Sequence, residues 1–393
     1  MAHGRQVQVD WTQTAVDAIQ RLQQGFLWSF WRARETWASS SGVQSYVRRP
    51  AVRRLVALGD VHGDLNALKK CLRLADVINE RDEWTGADTV VVQVGDIFDR
   101  GDAERAVLHF LDALDRLAHG SGGAVYRLLG NHEIMNVDLD FRYVTPGGFA
   151  EFRLRDRELA GRALEKAYRT LPPAYRQRVR ALPPEKRARA LALAPGCPTA
   201  RLLAERGLLV LIIGGTLFVH GGLRPEHVAY GLERLNAETW AWMERCETSN
   251  VLVPPRAWRP GTGTRDPGER PCTTAAASAD SPTAGVVPKP VFLQGSRSPI
   301  WMRSYSVPHL RSGSDACREL ERTLRCAGVR RMVVGHTPQP LITGACRGRV
   351  WRVDTGMSAA YGGVTEVLEI TKSHGVRIIT DHGEVKAGHR LVP

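Results

Sequence analysis

Apolar residues along this chain fall into short runs that stop at a glycine, and between those runs they recur every three to four positions. Leu55 to Leu58, Thr89 to Val94 and Ala124 to Leu129 have strand length, and each ends at a glycine followed by polar residues. Leu65 to Val77 and Ala103 to Ala118 carry the helical period between them. This alternation predicts an α/β fold of βαβ units, a sheet with helices on its faces and function at the carboxyl ends of its strands. Leu208 to Val219 is the longest apolar run and contains Gly214 and Gly215. It is too short to span a bilayer and predicts two core strands joined by a turn. Arg330 to Val334, Val350 to Val353, Val367 to Ile370 and Val376 to Thr380 restore the strand pattern later in the chain.

Three segments stand outside this rhythm. Residues 1–50 look like an N-terminal extension, in which Val16, Ile19, Leu22, Phe26, Phe30 and Trp31 approach helical spacing. A helix that packs on the domain and a membrane-surface or targeting helix both fit that pattern. Residues 51–393 form the main domain, with two interruptions. One is a helical insert at about 138–206, broken at Pro172-Pro173, Pro183-Pro184 and Pro195 and expected to act as a cap. The other is a stretch rich in Pro, Gly, Thr, Ala and Ser at about 254–290, expected to be a flexible loop.

Composition narrows the classes. With 43% hydrophobic and 24% charged residues the chain is globular, which excludes wholesale disorder. The net charge of +13 is localised: residues 1–54 hold +5 and residues 138–200 hold +6. Neither segment interleaves aromatics with its arginines or carries a nucleic-acid motif, so an anionic substrate or partner fits better than nucleic acid. Seven cysteines, an odd number with no C-x-x-C pair, predict reduced structural thiols rather than a disulfide framework.

The chemistry lies at the strand ends. Gly59-Asp60-Val61-His62-Gly63-Asp64 follows the first run, Gly95-Asp96-Ile97-Phe98-Asp99-Arg100-Gly101 the second, and Gly130-Asn131-His132-Glu133 the third. Single histidines close later strands, His220 before Gly221-Gly222 and His336 in Gly335-His336-Thr337. Any one fragment is an ordinary turn or cap. Five in this order make a complete inventory of hard oxygen and imidazole donors. Asp60, His62 and Asp96 can hold one metal, and Asp96, Asn131, His220 and His336 a second, with Asp96 bridging. Such a donor set favours Mn, Fe or Zn over Ca and needs no cysteine.

This series resembles the calcineurin-like metallophosphoesterases, and more narrowly the phosphoprotein phosphatase superfamily, over about residues 54–370. The resemblance implies a central β-sandwich flanked by helices and two divalent or trivalent metal ions at one edge. It implies in-line attack on phosphorus by a metal-bridging hydroxide, with His132 protonating the leaving group and Asp99 orienting His132. Arg100 would clamp phosphate oxygens, as would Asn131 and Arg303, the latter in Pro299-Ile300-Trp301-Met302-Arg303. The segment Asp354-Thr355-Gly356-Met357-Ser358 replaces the S-A-P-N-Y-C signature of the classical Ser/Thr enzymes. Regulatory-subunit binding therefore does not carry over. That segment and the long spacing from His132 to His220 look like the Shewanella-like protein phosphatases. The expected activity is a metal-dependent phosphatase acting on phosphoserine or phosphothreonine of phosphoproteins or phosphopeptides, with phosphotyrosine left open. The alternative is a symmetrical diadenosine tetraphosphate hydrolase. No integral membrane association is expected, and the chain is expected to be intracellular, with chloroplast and cytoplasm both open.

Overall fold

The computed structural model describes residues 47–153, 165, 168–169, 171–244, 287–308 and 310–392. The expected helix between Ala15 and Trp37 and most of the expected loop at 254–290 lie outside the described residues. Val47 to Arg49, expected in the extension, instead belong to the main domain: β1 (Arg48–Arg49) pairs in parallel with β6 (Val210–Ile213).

Two sheets make the centre. One runs through β2 (Arg54–Leu58), β3 (Val90–Gln93), β4 (Ala124–Leu128) and β5 (Gly207–Leu208), all parallel. On its other side it extends antiparallel through β11 (Glu366–Thr371), β12 (Gly375–Thr380) and β13 (Gly383–Lys386). The second sheet has the order β1, β6, β7 (Thr216–Val219), β8 (Arg331–Val334), β10 (Val350–Arg352), β9 (Thr343–Ala345). The apolar run from Leu208 does fold as strands hinged at Gly214-Gly215, with β6 and β7 antiparallel.

Strand periodicity decides what each residue packs against. Leu55, Ala57, Val90 and Val92 share a buried cluster with Leu211, Phe218, Val333 and Trp351 of the other sheet. Their neighbours Val56, Leu58 and Val91 belong instead to a cluster with helices α1 (Leu65–Leu74) and α2 (Glu104–Gly120). Alternate side chains leave opposite faces of a strand, so a fully apolar run is what a sheet buried on both faces requires. The architecture is the expected sandwich flanked by helices.

After β4 the chain forms α3 (Asn131–Val137) and α4 (Pro146–Ala150). The insert continues through α5 (Pro173–Ala181), α6 (Pro184–Leu193) and α7 (Pro198–Arg206). The helices break at the expected prolines: Pro195 lies in the turn between α6 and α7, while Pro173, Pro184 and Pro198 each take the first helical position of the next helix, where the missing N–H would have had no partner anyway. Leu139, Phe141, Phe149, Tyr175, Val179, Ala190 and Leu191 give the insert a small core of its own.

The expectation of reduced thiols fails. Cys317, in the first turn of α10 (Asp315–Ala327), is disulfide-bonded to Cys346 in the turn between β9 and β10. The two are 29 residues apart in sequence, and only the fold brings their Cα atoms within 5.4 Å. Cys326 is disulfide-bonded as well, while Cys71 and Cys197 are buried free thiols. Among the described residues no helix is long and apolar enough to cross a membrane.

Candidate metal centre and active site

The loops after β2, β3, β4, β7 and β8 converge on one buried cluster. Ligating atoms of His62, Asp96 and His132 lie within 4.8 Å of one another, and so do those of Asp96, His220 and His336. Asp96 is common to both groups, which is the position a bridging carboxylate needs. Asp60 adjoins them, its carboxylate accepting the His336 backbone N–H at 3.0 Å.

Each imidazole is aimed by a bond at its other nitrogen. His62 Nδ1 is 3.0 Å from the Phe98 carbonyl oxygen and His220 Nδ1 is 2.9 Å from that of Val94. Their Nε2 atoms are thereby turned to Asp96 Oδ2, at 4.0 and 3.2 Å. A carbonyl on one ring nitrogen fixes the tautomer and leaves the other as a ligand. Asn131 Oδ1 lies 3.0 Å from His220 Nε2, while its Nδ2 faces the Met135 sulfur. That orientation suits a ligand oxygen. The phosphate contact expected of Asn131 would need the amide nitrogen, which points away.

The backbone is bent to make this possible. His62, Asp96, Asp99, Arg100 and His336 all have φ between 48° and 68°, the left-handed region that side-chain-bearing residues rarely occupy. Asp60 and His62 therefore converge through a turn, not along an extended segment as their spacing implies. The glycines before the ligands have a matching reason. A Cβ at Gly130 would collide with Asp96 Oδ1, and one at Gly335 with Asp60 Oδ1.

Glu133 holds the loop after β3 in place. Its carboxylate accepts the backbone N–H groups of Asp96 (2.9 Å), Ile97 (2.8 Å), Phe98 (3.1 Å) and Gly130 (2.7 Å). Four donors on one buried carboxylate tie the Asp96 loop to the start of α3.

The charges fit cations. Burial, then Asp354 and Asp96, push Asp60 well above the usual carboxylate range. Burial also opposes ionisation of Asp96, but His220, His132 and His62 together hold it well below that range. Burial lowers His62 to about 4 and His336 to about 3, so both rings are neutral, the form that binds metal. Asp354 is buried, and its Oδ2 has no hydrogen-bond partner. Buried acids crowded in this way, beside the neutral imidazoles of His62 and His336, are what a pair of cations would relieve.

Beside the cluster His132 Nδ1 sits 2.6 Å from Asp99 Oδ2. The Arg100 guanidinium lies 4.6 Å from the Tyr143 ring and 5.0 Å from the Tyr361 ring, a cation between two aromatic side chains. Arg303 Nη1 donates to the His336 carbonyl (3.1 Å) and to Thr337 Oγ1 (2.9 Å), which places it at the edge of the His336 loop. All the expected residues are thus brought to one site. Glu133, Asp354, Tyr143 and Tyr361 were not assigned roles from the sequence. Glu133 and Asp354 stand inside the motifs quoted above and were legible as positions, though not as functions.

Comparison with known proteins agrees. The calcineurin-like phosphoesterase family model matches residues 53–275. Shewanella-like protein phosphatase 2 of Arabidopsis thaliana is 36% identical over 343 residues, covering 84% of this chain and 78% of that protein. The fold resembles a cold-active protein tyrosine phosphatase of a psychrophilic Shewanella species, with a TM-score of 0.56, 22% identity, and coverage of 88% of this chain and 82% of that one. The chain belongs to the calcineurin-like phosphoesterases, within which its likeness is to the Shewanella-like protein phosphatases. It is a hydrolase of phosphoesters.

Proposed function

We propose that the chain is a dinuclear-metal phosphoprotein phosphatase hydrolysing phosphoserine and phosphothreonine monoesters. Asp60, His62 and Asp96 would hold one ion, and Asp96, Asn131, His220 and His336 the other, with Mn, Fe or Zn suited to these donors. Two such ions make water a nucleophile at neutral pH and offset charge on the transferring phosphoryl group.

The remaining work falls to the chain's own side chains. Arg100, flanked by Tyr143 and Tyr361, presents a planar fork to phosphate oxygens. Arg303 stands on the His336 side and can take another oxygen. His132 delivers a proton from Nε2 to the departing oxygen, while Asp99 keeps a hydrogen bond on Nδ1 and stabilises the charged ring before transfer.

The observation that carries the Ser/Thr reading is this buried His132–Asp99 pair. An alkoxide leaving from serine or threonine is far more basic than the tyrosyl phenolate, whose acid has a pKa of about 10, and it needs a proton in the transition state. A site that invests an oriented acid there is built for poor leaving groups. The test is phosphate release, with Mn present, from phosphoserine, phosphothreonine and phosphotyrosine peptides and from diadenosine tetraphosphate, side by side. The first two should lead, and a chelator should abolish the activity. Faster cleavage of diadenosine tetraphosphate would make it a nucleotide hydrolase instead.

A further inference from the structure

We infer that Arg189, carried by insert helix α6, is a positioning residue for the His132–Asp99 pair, and that delivering it is a principal task of the insert. The inference deepens the proposed function and rests on His132 acting as the proton donor.

Arg189 sits in an arginine-rich helix and would pass for a solvated residue, yet it is 0% exposed. Its guanidinium lies among the rings of Phe98, Phe141, Phe149 and Phe152, with centroids at 4.8 to 6.0 Å. A charge so placed needs polar partners. Nε donates to Asn136 Oδ1 at 2.9 Å and Nη1 to the Gly148 carbonyl at 2.9 Å. Nη2 forms an ion pair with Glu104 Oε2 at 2.5 Å, at angles outside good hydrogen-bond geometry, and stands 3.5 Å from Asp99 Oδ1.

The consequence runs through Asn136. Arginine has donors and no acceptor, so it can face only the oxygen of that carboxamide. Asn136 Nδ2 is then obliged to point the other way, where it donates to Asp99 Oδ1 at 2.8 Å and to the His132 carbonyl at 2.9 Å. Glu104, held by the same guanidinium, accepts the Asp99 backbone N–H through Oε1 at 2.9 Å. With Oδ1 occupied, Asp99 has Oδ2 left for His132 Nδ1. Asp99 keeps a left-handed backbone, φ 67°, and these contacts are what hold it there. Arg189 thus sets an amide, the amide sets a carboxylate, and the carboxylate sets the imidazole.

Removing Arg189 alone would leave Glu104 buried without its cation, so the informative variant removes both charges, Arg189→Met with Glu104→Gln. It is compared with Arg189→Lys, His132→Asn and the unaltered protein. Each is assayed on an alkyl phosphate and on an activated aryl phosphate, and the His132 imidazole N–H is followed by proton NMR, assigned by its loss in His132→Asn. The double variant should unfold cooperatively and lose about 10–100-fold in kcat on the alkyl ester with only about 2-fold loss on the aryl ester, short of the full effect of an acid catalyst. Its imidazole N–H should shift upfield or broaden. Arg189→Lys, which restores the charge without the fork, should fall between the double variant and the unaltered protein. Equal losses on both esters with an unchanged N–H resonance would overturn the inference and leave Arg189 as a structural ion pair. If His132→Asn itself fails to discriminate between the esters, the acid-catalyst reading fails instead. The resonance alone then decides whether Arg189 positions the ring.

Discussion

His132 Nδ1 and Asp99 Oδ2 are 2.6 Å apart in a pocket where both side chains are buried, so Nε2 is the nitrogen turned to the ligand cluster, 3.8 Å from Asp96 Oδ2. That separation of duties predicts a substrate-dependent defect. His132→Asn should lower kcat by about 10²–10⁴ on alkyl phosphates and far less on activated aryl phosphates. Asp99→Asn should do the same more weakly. Equal losses on both esters, measured at saturating metal, would count against proton donation.

Glu133 carries four backbone N–H groups on two oxygens. Glu133→Gln replaces one acceptor by a donor facing two donors, losing two charge-assisted hydrogen bonds of about 1.5–3 kcal/mol each. The Asp96 loop should loosen, with metal affinity falling about 10–100-fold. Titration of metal into the apo variant, beside urea unfolding, checks this. Unchanged values in both would remove the clamp.

Tyr143 and Tyr361 flank Arg100 and are 39% and 40% exposed, so their change should spare the fold. An exposed cation–π contact contributes about 0.5–1 kcal/mol. Tyr143→Ala or Tyr361→Ala should therefore raise KM for a phosphopeptide about 2–5-fold through a less ordered Arg100. Phenylalanine at either position should restore the unaltered KM, and a hydroxyl-dependent effect would contradict the stacking argument.

His227 follows the candidate ligand His220 by seven residues and is fully buried at the start of α8 (Pro225–Tyr230), its Nδ1 accepting the Arg224 backbone N–H at 2.9 Å. Burial lowers it to about 4 from an unfolded value of 6.5. The folded state therefore favours the neutral ring. Its contribution is complete above pH 6.5 and is lost as pH falls toward 4, with about 2 kcal/mol gone by pH 5. Denaturant unfolding between pH 7 and 5 should show this acid limb, and His227→Gln should flatten it. An identical slope in the variant would assign the limb to other groups.

The primary sequence was enough for the frame and for the candidate donors that gather at the strand ends. Val-rich runs buried on both faces, each closed by a glycine and a polar cluster, name β2, β3 and β4 and the loops after them, because strand-end position follows from local pattern alone. Asp60, His62, Asp96, Asn131, His220 and His336 could be read for that reason. The tertiary structure decided what those residues do to one another. Glu133 gathering three amides of a loop 35 to 37 residues away, and Arg189 reaching Asn136 from 53 residues along the chain, depend on packing between elements, which no local period encodes. Arg189 shows the reason most directly. In sequence it is one of two arginines on helix α6, and only the closure of four phenylalanine rings around it, with Glu104, Asn136, Asp99 and the Gly148 carbonyl as polar partners, turns a solvent-seeking side chain into an interior one. The same holds for Cys317 and Cys346, which lack any spacing signal and pair because α10 and the β9–β10 turn meet.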